Sequence, residues 1–115
     1  MLANDGVRPD DPSRKPIVPR EYLLDATDWK RQPEAFQPGK ATRTLGYGYQ
    51  VWLYPDDSGW FGLLGMYGQS IFVDPAQRLV MVLTAAQKAA ADGEQFGAER
   101  DALWRAIVQR HGGQW

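Results

Sequence analysis

The chain contains no cysteine and a single histidine, His111. Without cysteine there is no disulfide, no thiolate metal ligand and no cysteine nucleophile, and the redox compartment stays open. One histidine cannot build a histidine cluster for a metal. It sits where the last helix should end, a position the helix dipole favours for a cation. Excess charge of one sign is lacking too. Thirteen basic and fourteen acidic side chains leave a formal net charge of −1. That provides no field to attract nucleic acid and no polybasic segment to hold an anionic membrane, so neither is an expected partner. No apolar run approaches the roughly 18 residues of a bilayer span. The opening MLANDGVRPDDPSRKP has no hydrophobic signal core. The serines stand at 13, 58 and 70. None is followed three residues later by lysine, and none lies in a G-x-S-x-G elbow. Asp56 and Asp57 read as a surface turn, and the glycines of GMYG have the wrong spacing for a nucleotide loop. No cofactor or metal is expected.

What is present suits one domain of 115 residues, 43% hydrophobic, with five tryptophans and five tyrosines. Residues 1–16, with Pro9, Pro12 and Pro16, read as an irregular arm or linker; residues 17–115 read as the folded part. Pro19 suits the first turn of a helix running to Ala26. Residues 27–44 read as a polar loop. Tyr47, Tyr49, Val51 and Leu53 alternate with Gly48, Gln50 and Trp52, which predicts one strand. Turn chemistry follows at Pro55–Gly59, and a second strand runs from Trp60 toward Met66. After a glycine-rich bend, QSIFV resumes extended structure, and Asp74-Pro75 starts a turn. Arg78–Ala85 is nearly continuously apolar, the mark of a strand covered on both faces. Phe96, Leu103, Trp104, Ile107 and Val108 recur at helical spacing, predicting a helix over Gln95–Arg110 that Gly112 and Gly113 stop. The expected class is α+β: an antiparallel sheet of about three strands, a preceding short helix, and a long C-terminal helix packed on the sheet. One helix covers one face, so a second cover for the sheet is missing.

Gly62, Gly65 and Gly68 recur at every third position of FGLLGMYGQ. Interior glycine costs a strand entropy and packing, so something must come close to this segment. Two readings compete: a ligand docking along exposed backbone N–H groups, or a bulge whose glycines relieve twist.

The motifs LGYGYQVWL and FGLLGMYGQSIFVDPAQRLVMVLTAA, in this order, resemble the C-terminal end of serine hydrolases related to β-lactamases and penicillin-binding proteins. Within that superfamily they look most like the branch of nylon-oligomer (6-aminohexanoate-dimer) hydrolases and related carboxylesterases. The resemblance spans roughly residues 15–110 and extends to KPIVPREYLLDAT, which is similar to the helix before these strands. It implies amide or ester hydrolysis through an acyl-serine, on a small-molecule substrate. The family's Ser-x-x-Lys and Tyr-x-Asn motifs do not occur in this chain, so it is expected to be a C-terminal part, inactive alone. Where the family often carries Lys-Thr-Gly or His-x-Gly, this sequence has Leu63, Leu64 and Gly65, which leaves no cation or hydroxyl for a substrate carboxylate. By the resemblance, the Met66 N–H is one oxyanion-hole donor, and Leu63, Leu64, Gly65, Tyr67, Gly68 and Gln69 border the pocket. The isolated chain is expected to self-associate through its uncovered apolar strand. The rival reading is a small noncatalytic binding module that grips a partner with its aromatic strands.

Overall fold

The computed structural model of the chain describes residues 1–11, 13–55, 57–90 and 94–113, the last stretch without the side chains of residues 94 and 95. Pro12 and Asp56, read above as part of the arm and of a turn, lie outside the described residues. Helix α1 spans Arg20–Thr27. Five strands follow: β1 Gly46–Gly48, β2 Val51–Leu53, β3 Phe61–Leu64, β4 Ser70–Asp74 and β5 Leu79–Leu83. Helix α2, Glu94–Arg110, closes the chain. The strands form one antiparallel sheet in sequence order. The class is α+β, as the sequence implies, with five strands where about three were expected.

The extra strands come from breaks inside the expected ones. Tyr47–Leu53 is a hairpin, not a single strand: Gly48 pairs with Val51, and Tyr49 and Gln50 turn between them at φ 51° and 65°. Two left-handed residues in a row make the tight turn whose twist matches antiparallel strands. Tyr49 is held there by an edge-on contact with Tyr22 of α1, 5.5 Å between ring centres. Tyr47 therefore points to the face opposite Val51 and Leu53, and does not share theirs as simple alternation suggests. The β4–β5 turn follows its local chemistry. An Asp74 carboxylate oxygen accepts from the Gln77 N–H at 3.1 Å, and Arg78 completes the reversal at φ 54°.

Register divides the side chains between two faces. Phe72 pairs with Gly62 and Met81. On their face Trp60, Phe72 and Met81 pack with Trp104 and Val108 of α2. Phe72 and Trp104 stack 5.7 Å apart, and Trp60 stacks on Tyr54 at 3.7 Å. Helix α2 presents Arg100, Trp104 and Val108 to the sheet, and all three are buried. Leu103, expected on that stripe, is 48% exposed. Arg100 takes its place, its guanidinium 5.4 Å from the centre of the Phe72 ring, a favourable position for a cation over a π face.

On the other face Val51, Leu53, Phe61 and Val73 form a smaller cluster with Ala3, flanked by Leu2 and Trp29. The first residues thus lie on the sheet, with Val7 and Pro16 bridged in antiparallel fashion. Short 3-10 turns at Trp29–Arg31 and Glu34–Phe36 occupy the segment expected as loop. Beyond this cluster the cover ends: Ile71, Val80 and Val82 are exposed.

Candidate functional site

β2 accompanies β3 only through Leu53–Phe61 and Trp52–Gly62. β4 pairs with all four β3 residues. From Leu63 onward, the side of β3 that faced β2 carries no strand among the described residues. The chain then bends. The Gly65 N–H donates to the Gln69 carbonyl at 2.8 Å, enclosing a short turn over Met66–Gly68. Tyr67 and Gly68 are both left-handed, at φ 61° and 93°. The backbone of Tyr67 is clamped on both sides: its N–H donates to the Ala90 carbonyl at 2.9 Å and its carbonyl accepts from the Gln87 N–H at 3.1 Å. Left-handed geometry is uncommon outside glycine and persists where surroundings hold it. Among the described residues the Met66 N–H makes no hydrogen bond. Its side chain is 69% exposed.

The glycines have identifiable neighbours. A Cβ on Gly62 would lie 3.3 Å from the Phe72 ring. At Gly68 it would meet Ala85 and Gln87 at 3.1 Å. Gly62 is explained by packing within the chain, and Gly68 both by packing and by its left-handed backbone at the bend. At Gly65 the contacts, 3.3–3.4 Å, are with Gln69 alone, whose side chain folds back over the bend.

Next to the bend, a groove of about 420 Å³ crosses the uncovered face. Leu63, Ile71 and Val82 line it, and Gln50, Gln69 and Thr84 also border it. Its lining includes no lysine, histidine or carboxylate. Leu63 and Gly65 thus meet the groove, and Tyr67 is exposed beside it. Leu64 lines the groove as well; it packs against the aromatic cluster beneath α2, and Leu63 against the smaller cluster on the other face. Sequence reasoning missed Gln50, Ile71, Val82 and Thr84. Gln50 reaches the groove because of the β1–β2 turn. Ile71 and Val82 are cross-strand partners, a relation that only register reveals.

Ser70 borders the same groove and is 3% exposed. Its hydroxyl has no hydrogen-bond partner among the described residues. With no lysine or histidine in the lining, it lacks the base that would make it a nucleophile. The perturbed ionisable groups lie elsewhere. A hydrogen bond and the charge of Asp57 raise the Lys30 ammonium, and Lys30 in turn lowers the Asp57 carboxyl. Hydrogen bonds to Asp25 and Glu21 raise Arg31, and those from Ser13 lower Asp11. The groove therefore offers shape and largely apolar walls, without a lysine, histidine or carboxylate in its lining; Met66 lies outside that lining, next to Gly65.

Comparison with curated proteins returns no match. Comparison with protein families matches Beta-lactamase over residues 10–104. With most of its length matched, and with an antiparallel sheet flanked by helices as that family implies, the chain belongs to the Beta-lactamase family.

Proposed function

We propose that this chain is the C-terminal part of a serine hydrolase that cleaves an amide or ester through an acyl-serine intermediate. Its nearest kin in activity would be nylon-oligomer hydrolases and related carboxylesterases. The nucleophile and its lysine come from a preceding part of the enzyme, which also covers the bare face at Ile71, Val80 and Val82. This chain contributes the Met66 N–H as one oxyanion donor. Leu63, Gly65, Tyr67, Gly68 and Gln69 form a pocket wall. The supporting observation is the open edge of β3, which leads into a clamped bend whose Met66 N–H has no partner among the described residues. A preorganised backbone donor of this kind stabilises charge as it develops on a substrate carbonyl oxygen. Leucines at 63 and 64 favour an uncharged substrate at this wall, since the groove holds no cation for a carboxylate.

The test restores the preceding part, from the parent gene or a close homologue. Met66→Pro removes the donor and should lower turnover about 100- to 1,000-fold, equivalent to about 2.7–4 kcal/mol. Gly65→Val should block the substrate's approach. Met66→Leu keeps the N–H and nearly the volume, and should leave turnover near normal. Circular dichroism checks that the proline variant folds. Folded proline and valine variants with full turnover would exclude the assignment; equal loss in all three would place the effect in the fold. The 115-residue chain alone should not react with fluorophosphonates or turn over p-nitrophenyl esters.

A further inference from the structure

A cavity of about 630 Å³ lies between the N-terminal arm and the β4–β5 turn, apart from the groove. Three arginines line it: Arg8, Arg14 and Arg78. The fold brings them together from two directions. The Val7–Pro16 bridge and the bond from the Ile17 N–H to the Gly6 carbonyl, 2.9 Å, close the arm into a loop. Arg8 and Arg14 stand near the two ends of that loop. Arg78 ends the turn between β4 and β5.

Converging like charges costs free energy unless counter-charges are at hand. Of the nearby carboxylates, Asp10 and Asp5 are paired with arginines other than Arg14 and Arg78, and Asp11 keeps its charge while held by Ser13. Asp10 pairs with Arg8 at 3.2 Å. Asp5, which lines the cavity, lies 3.6 Å from Arg20. Asp11 also lines it, but one of its oxygens accepts from the N–H and hydroxyl of Ser13 at 2.8 and 2.7 Å. Among the described residues, Arg14 and Arg78 have no ion-pair partner. Both also sit in the left-handed region, at φ 50° and 54°. Glycine or asparagine takes that conformation at less cost. What arginine adds is a planar, permanently charged fork suited to the paired oxygens of a phosphate.

We propose that Arg14 and Arg78 form a binding site for a phosphate monoester group, with Arg8 as a third, already paired, cation at its border. The site stands on its own residues and does not depend on the hydrolase reading.

The experiment titrates the 115-residue chain with inorganic phosphate, followed by backbone amide NMR shifts, with sodium chloride at matched ionic strength as reference. Phosphate should give saturable shifts at residues flanking Arg14 and Arg78 that chloride does not give. Arg14→Gln and Arg78→Gln should each weaken binding roughly tenfold, as expected for losing one charge-assisted contact. Arg43→Gln, remote from the cavity, should not. The arginines are exposed, and unchanged melting temperatures without phosphate confirm that the variants fold. Glycerol phosphate and vesicles carrying phosphatidic acid then separate a soluble phosphorylated molecule from a lipid headgroup; binding of either through both arginines supports the site. Equal response to chloride, no saturation, or wild-type affinity in both variants would overturn it.

Discussion

The two faces of the sheet are covered by different means. On one, α2 seals Trp60, Phe72 and Met81 with Trp104 and Val108, each of these side chains at most 9% exposed. On the other, short turns place Ala3, Leu2 and Trp29 over Val51, Leu53, Phe61 and Val73. Around that second cover, the ionic contacts are exposed ones: Lys30 with Asp57, Arg20 with Asp5, and Arg31 with Glu21 and Asp25. Then it stops short of Ile71, Val80 and Val82. Apolar residues are laid down on both faces with equal regularity, so the difference lies in what is available to bury them. A strand patterned for two covers but given one leaves an apolar surface of the kind that marks interaction sites. The groove and the open edge of β3 belong to that less covered side, where the proposed function would have the rest of a hydrolase meet the sheet.

The largest expected effect is on the sealed face. Trp104 is fully buried, with Phe72 and Trp60 rings at 5.7 and 6.1 Å. Trp104→Ala should destabilise the chain by about 3–5 kcal/mol, read from urea unfolding. Val82→Ala, on the bare face, should change it by no more than about 0.5 kcal/mol when both are read below the concentration at which the chain associates. Similar losses at both positions would mean that the bare face is buried in solution, and the contrast between the faces would collapse.

The bare face should instead govern association. β5 is an edge strand without a single charged residue from Leu79 to Leu83, and such an edge invites pairing with another chain. The 115-residue chain is expected to self-associate at micromolar concentrations in sedimentation. Val80→Lys with Val82→Lys should shift it toward monomer with little change in unfolding free energy. Undiminished association in the double variant would move the sticky surface elsewhere, with exposed Leu103 of α2 the next candidate.

How much of this was legible in advance follows from the range of each interaction. Helices α1 and α2, the Asp74-Pro75 turn and the extended stretches are written in local chemistry, and they were read from it. The Tyr49–Gln50 turn has no glycine or asparagine at its two central positions to announce it, and its contact with the Tyr22 ring is distant in sequence. Likewise Arg100 is buried in place of Leu103 where the Phe72 ring and the Asp101 carboxylate both meet it, and the first of these contacts is set by the sheet. At the candidate site, the bend at Gly65–Gln69 is legible from its glycines: Gly68 takes the left-handed turn there, while Gly62 serves packing against Phe72. The groove is not, because Ile71 and Val82 meet only through strand register. The roles given to Met66 and its neighbours come from family resemblance, which a spacing rule alone could not supply.

The smallest expected effect concerns the thin cover. Lys30 Nζ lies 2.6 Å from an Asp57 oxygen, tying the turn that carries Trp29 to the β2–β3 loop. Both side chains are exposed, so the pair contributes little and salt screens it. Its pH dependence has a definite sign. The hydrogen bond from Lys30 and then its charge lower the Asp57 carboxyl below the ordinary 3.8. The stability this provides is complete above that value and is lost as pH falls through the lowered one. The hydrogen bond to Asp57 and then its charge raise Lys30 above 10.5. That contribution is complete below 10.5 and is lost as pH rises through the raised value. The melting-temperature difference between wild type and Asp57→Asn should therefore be small and flat between the two windows, shrink at either extreme, and fade in high salt. A difference as large as that of Trp104→Ala would mean that the ion pair carries structural weight comparable to the aromatic core. The thin cover would then be held as firmly as the thick one.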